Sequence, residues 1–274
     1  MANFRSGPFS NIPLVVKNLL ILNVLMLFVT WATQAMYGYD LTRVLGLYYP
    51  GSPYFKPIQF VTHLFMHASF WHLFFNMFAL FMFGTAIESV WGPKRFFIYY
   101  MVVGLGASVF YLAVNAIQFT MISNAANDML NSGSPDAFMS LLKSHFAPIY
   151  KQMLGSEGMN AWYADPHNIK FAREAYDNVQ SWLLTMQNVP IIGASGAVYG
   201  VLLAFGMMFP DQKIYLYFLF PIKAKYFVII FGLLEVYFSI AQPGSDIAHV
   251  AHIGGIIFGF ILIKYWNRKG ARHY

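Results

Sequence analysis

The chain has 274 residues, 58% of them hydrophobic and only 10% charged, with a net charge of +6 and no cysteine. A soluble domain carries about 25% charged residues, so this composition excludes an ordinary soluble enzyme and places the chain in the polytopic membrane class. The basic residues are spread between apolar runs instead of alternating with aromatics in one stripe, which argues against nucleic acid, and without cysteine there is neither a disulfide framework nor a thiolate metal site.

Six runs approach the ~20 residues that a membrane-crossing helix needs. In chain order they cover roughly Ile12–Ala35, His63–Phe83, Phe96–Ile117, Val189–Phe209, Tyr226–Ala241 and Ile247–Trp266. The first is longer than a signal-peptide core and is read as an anchor. The fifth is the shortest and carries an acid, Glu235. The expected architecture is an all-α six-helix bundle, a single membrane domain over 1–274. Lys94, Arg95, Lys213, Lys223, Lys225 and the basic tail collect on one side. That bias predicts both termini in the cytoplasm, with a bacterial inner (plasma) membrane as the expected location.

The segment 118–188 interrupts this pattern. Ser123–Pro135 is polar and turn-rich, as a linker would be. Phe138, Leu141, Leu142, His145 and Ile149 then recur at helical spacing, with Pro148 expected to break the helix. Ala172, Tyr176, Val179, Leu183 and Met186 form a second periodic set. The segment is expected to be an extracytoplasmic helical insertion without a core of its own.

Polar residues inside apolar runs are costly and are usually kept for function. Ser195 stands in Gly193-Ala194-Ser195-Gly196 at the threshold of the fourth run. Its backbone N–H is free at a helix start, where the dipole favours negative charge. Taken alone, the serine is better explained as a helix cap. Tyr199 follows one turn later on the same face. Gly196, Gly200 and Ala204 form a ridge of small residues, and Ala251, Gly255 and Gly259 repeat that spacing in the last run. Two such ridges let helices meet backbone to backbone, which would bring His252 to Ser195 and against the Tyr199 ring. His72 and Asn76 share one face of the second run. They suit an oxyanion hole completed by the Ser195 N–H, or an interhelical polar clamp.

Together, Gly193-Ala194-Ser195-Gly196 with Tyr199, His72-x-x-x-Asn76, and Ala251-His252-x-x-Gly255 resemble the signature of the rhomboid intramembrane serine proteases, in the family's order. The resemblance implies a Ser195–His252 dyad that cleaves transmembrane segments of protein substrates in or near the outer leaflet of the bilayer. It assigns the oxyanion hole to His72, Asn76 and Ser195, and supporting roles to Tyr199, Gly193, Gly196 and Gly255. It requires neither cofactor nor resident metal, and leaves the oligomeric state open. The family often has a Trp-Arg pair where this chain has Ile58-Gln59, and the 118–188 insertion is longer than in compact members. Glu235 is expected to partner a local His or Tyr near the outer leaflet, with a metal-ligand role as the alternative. The competing readings are a metalloprotein drawing on His63, His67, His72, His249 and His252, or a non-catalytic substrate-binding relative.

Overall fold

The computed structural model describes residues 12–216, 220–241 and 247–268. The first apolar run forms α1 (Leu14–Tyr37). Its Val15 and Val16 N–H groups have no partner within the helix and donate to the two carboxylate oxygens of Glu88, at 2.8 Å each. At the other end Gly38 adopts φ 66°, the left-handed turn that stops the helix.

The loop that follows is organised by one amide. Gln59 is completely buried at the start of a one-turn helix, Gln59–Thr62. Its Nε2 donates to the carbonyls of Val44 and Tyr54 at 3.0 Å each, and its Oε1 accepts from Lys56 N at 2.9 Å. This side chain anchors the loop where the resemblance would put a Trp-Arg pair. Leu47 and Ile191 exchange both backbone hydrogen bonds at 2.9 Å, tying the loop to the strand-like segment that leads into Ser195.

The second run forms α2 (Phe70–Trp91), which widens into a π-helical turn over Leu80–Gly84. Next comes α3 (Pro93–Ser132), at 40 residues about twice the length needed to cross a bilayer. The stretch expected as a linker is therefore helical as far as Ser132. Ile122, Ala126 and Met129 fall on one buried face, and that burial outweighs the local polarity. Gly133, at φ 62°, ends the helix.

Four shorter helices follow: α4 (Pro135–His145), α5 (Ala147–Met153), α6 (Glu157–Ala164) and α7 (Ile169–Gln187). The chain breaks at Phe146, and α5 opens with Pro148 in its first turn, where a missing N–H is harmless. With the far end of α3 these helices enclose Phe138, Leu142, Trp162, Ala172, Val179 and Leu183 in one buried cluster. The expectation that this segment lacks a core is corrected here. Its apolar positions are spread over four short helices, each too brief to announce a shared interior.

Beyond it lie α8 (Ser195–Met208), the hairpin of β1 (Lys213–Leu216) and β2 (Phe220–Lys223), α9 (Ala224–Ala241) and α10 (Ile247–Arg268). Among the described residues, α1, α2, α3 and α10 are long and apolar enough to cross a membrane, four helices where six were expected. The fourth run yields only the 14 residues of α8, about 21 Å against a hydrocarbon thickness of about 30 Å. Its first part, Val189–Ala194, is not helical because it pairs with the preceding loop. α8 is largely enclosed. Ala197, Val201, Ala204 and Phe205 sit in the main core beside Tyr99, Tyr100 and Val103 of α3.

Candidate active site

The turn before α8 sets the position of Ser195. Gly193 has φ 122°, a conformation that side chains rarely adopt, and its N–H donates to the His63 carbonyl at 2.9 Å. A Cβ on Gly193 would stand 2.9 Å from both Cε1 and Nε2 of His72, so the glycine also lets the imidazole close over the turn. His63 is itself fixed. Its Nδ1 contacts the Gln59 carbonyl at 2.7 Å and its Nε2 contacts Ser108 Oγ at 2.8 Å. A carbonyl only accepts, so Nδ1 carries the ring proton, and the single Ser108 hydroxyl proton is shared between Nε2 and the Gly104 carbonyl, 2.9 Å away. Burial pulls the His63 pKa down to about 4, which keeps the ring neutral.

Ser195 begins α8, so its own N–H has no acceptor within the helix. Across the turn, His72 is held near the start of α2, where Ser69 Oγ accepts from its backbone N–H at 3.1 Å. Ala68 N–H donates to His72 Nδ1 at 3.4 Å. A neutral ring in that arrangement carries its proton on Nε2, the nitrogen beside Gly193. One turn on, buried Asn76 donates through Nδ2 to the His72 carbonyl at 2.9 Å, and its amide has a second N–H.

α8 and α10 touch along their glycines. A Cβ on Gly255 would overlap the Gly196 carbonyl, and one on Gly259 would lie 3.3 Å from the Gly200 Cα. Tyr99 Oη donates to the Gly200 carbonyl at 2.7 Å and locks α3 to the same crossing. The close approach stacks His252 on Tyr199, with ring centres 4.1 Å apart and planes 13° from parallel.

Glu235 on α9 meets the local Tyr and His partners expected of it. Its side chain is 8% exposed, and Tyr199 Oη donates to its Oε1. His249 Nδ1 lies 2.5 Å from Oε2, and His252 Nδ1 lies 3.0 Å from the same oxygen. The His252 ring is not aligned to hydrogen-bond that oxygen. Its Nε2 has no hydrogen-bond partner either, so a Ser195–His252 hydrogen bond is not formed in this arrangement. One carboxylate thus gathers a tyrosine and two histidines. An acid inside an apolar run already points to a local His or Tyr partner, and the assembly of α8, α9 and α10 identifies these as Tyr199, His249 and His252.

The five candidate ligand histidines divide into two groups. Among the described residues, those grouped closely enough to hold an ion are Glu235, His249 and His252, whereas His63 is committed to Gln59 and Ser108. His67 is buried beside His72, ring centres 5.0 Å apart, and neither of its nitrogens has a partner.

A profile of the rhomboid domain matches residues 54–126 and 145–268. An uncharacterized mitochondrial rhomboid protein of Schizosaccharomyces pombe is 27% identical over 219 residues, 76% of this chain and 51% of that protein. Rhomboid protein 1, mitochondrial, of Saccharomyces cerevisiae is 27% identical over 218 residues, covering 77% and 42%. RHOMBOID-like protein 12, mitochondrial, of Arabidopsis thaliana is 26% identical over 195 residues, covering 71% and 42%. The chain spans about half the length of these relatives, or less. Their mitochondrial names overturn the expectation of a bacterial plasma membrane with cytoplasmic termini. A lysine and arginine bias distinguishes the two sides of a membrane without saying which membrane it is. The profile covers the second, third and later apolar runs, the turn at Gly193 and the crossing of α8 on α10, and on that match the chain belongs to the rhomboid family.

Proposed function

We propose that the chain is an intramembrane serine endopeptidase, with Ser195 as nucleophile and His252 as general base. The observation that carries this reading is the stack of His252 on Tyr199 across a glycine crossing whose other helix begins at Ser195. The mechanism requires the imidazole to turn so that Nε2 reaches the Ser195 hydroxyl. The hydroxyl then loses its proton to Nε2 as Oγ attacks the scissile carbonyl. The developing oxyanion takes donors from Ser195 N–H, His72 Nε2–H and the free N–H of Asn76. His252 returns the proton to the departing amine, and water later releases the acyl group from Ser195.

Glu235 is the positioning residue. An Nδ1–H on His252 facing Oε2 leaves the Nε2 lone pair for the serine and stabilises the imidazolium once it forms. Tyr199 holds the other carboxylate oxygen and supports the ring from one face. The substrates are transmembrane segments of other proteins. The shortness of α8 supports a site set below one membrane surface and reached by water from that side. α1, α2, α3, α8, α9 and α10 are the six helices of the proposed bundle, with 118–188 as its insertion. A mitochondrial membrane is the location that the relatives' names support.

The test is fluorophosphonate labelling of purified, detergent-solubilised protein. Wild type should label, Ser195→Ala should not, and His252→Ala should label no faster than background. Loss of His72 or Asn76 should lower turnover of a transmembrane substrate by about 10²–10³. Wild-type turnover in Ser195→Ala would sink the mechanism.

A further inference from the structure

We propose that Glu235, His249 and His252 form a binding site for a zinc-type divalent ion, and that occupancy switches the site off. The inhibitory half rests on the protease reading above, whereas the binding half stands on the cluster alone. The three ligand atoms lie within 4.8 Å of one another. The Nδ1 atoms of His249 and His252 lie 2.5 and 3.0 Å from a single carboxylate oxygen. Neutral imidazole and carboxylate are the donors that zinc takes at about 2.0–2.2 Å, so ligands around a tetrahedral ion stand roughly 3.4 Å apart. Small side-chain rotations open the cluster to that spacing.

The surroundings also suit an ion. The side chains are 8%, 18% and 12% exposed in the order Glu235, His249, His252, so the ion would be largely removed from water. Tyr199 Oη already holds Oε1 and leaves Oε2 to coordinate. Three protein ligands leave a fourth position for water.

Inhibition follows from tautomer chemistry. Ligation through His252 Nδ1 uses that nitrogen's lone pair and forces the ring proton onto Nε2. Nε2 must instead offer a lone pair to take the Ser195 proton. With a proton on Nδ1 the carboxylate selects the working tautomer, and with a metal it selects the idle one.

The decisive experiment titrates zinc ion alone into purified full chain carrying Ser195→Ala, with free zinc read by a chromophoric chelator. One ion per chain should bind, with affinity at least about tenfold weaker in Glu235→Gln or His249→Asn backgrounds, since even outer-shell changes cost that much. In the wild-type chain, zinc should slow fluorophosphonate labelling over the same concentrations, and a chelator should restore it. Normalised to its own metal-free rate, His249→Asn should need at least about tenfold more zinc. Absence of stoichiometric binding, or binding indifferent to both substitutions, overturns the site. Site-specific binding without slowed labelling overturns the inhibition. Metal-free wild type that never labels defeats the protease reading instead, while the binding titration still decides the site.

Discussion

Glu235 concentrates most of the residue-scale argument, because one buried carboxylate faces a tyrosine and two histidines. If it positions His252, Glu235→Gln should lower kcat for a transmembrane substrate by about 10²-fold or more, with KM little changed, because an amide can also favour the wrong tautomer. Glu235→Asp should recover part of the loss. A substitution that merely loosened the helices would raise KM as well and would not be rescued by aspartate, and that pattern would refute the positioning role. The loop histidines make a separate prediction about pH. Burial lowers the His63 pKa to about 4, and burial together with His72 lowers that of His67 to about 3. Both lie below the ordinary value near 6.5, so the unfolded chain binds more protons than the folded one as the pH falls below that value. The stability they contribute is complete above about pH 6.5 and drains away as the pH drops through 6.5 towards 4. For His63 alone this amounts to about 3 kcal/mol. Thermal midpoints in detergent should fall across that window, and His67→Phe, which removes one of the two protons, should flatten the slope. A midpoint independent of pH between 6.5 and 4 would contradict it.

At the scale of elements, long apolar runs were legible because composition alone marks them, and α1, α2, α3 and α10 stand where such runs occur. The glycine spacings were legible too, since small residues at i and i+4 speak directly about how closely a backbone can be approached. Element ends were less so. Ser123–Pro135 looks like a linker until Ile122, Ala126 and Met129 are seen packed into a core that distant residues supply. The fourth run looks continuous, yet pairing of Leu47 with Ile191 keeps its first residues out of the helix, an interaction with no local signature. Gln59 is the sharpest instance, because nothing around it in sequence distinguishes an anchoring amide from a surface one. Its loss should show its role. Gln59→Ala would leave the Val44 and Tyr54 carbonyls and the Lys56 N–H without their partner, at a cost of about 1–3 kcal/mol for each group that water cannot reach. The expected result is faster proteolysis within residues 38–60 and a lower thermal midpoint, whereas unchanged cleavage there would mean the loop is held by other contacts.

Across the whole molecule, the two larger interiors suggest a division of labour. The main core surrounds α8 and the crossing glycines, and the second cluster is built from the far end of α3 with α4 to α7. The rhomboid profile leaves out 127–144, which falls inside that second cluster. The two parts nevertheless meet: Tyr49 of the anchored loop packs edge-on against Phe119, ring centres 5.0 Å apart, and Ser52 Oγ donates to Asn188 Oδ1 at 2.7 Å. Trp162, 2% exposed and stacked on Phe171, is the largest fully buried side chain of the second cluster and lies outside the proposed chemistry. Trp162→Ala should therefore cost about 3–5 kcal/mol locally. If 118–188 is a support that folds around its own interior, limited proteolysis should accelerate within 135–187 while fluorophosphonate labelling of Ser195 keeps its wild-type rate. If the insertion instead holds the loop through Tyr49 and Ser52, loosening it should release Leu47 from Ile191 and disturb the turn at Gly193. Labelling and proteolysis would then change together, and the insertion would have to be counted as part of what shapes the site.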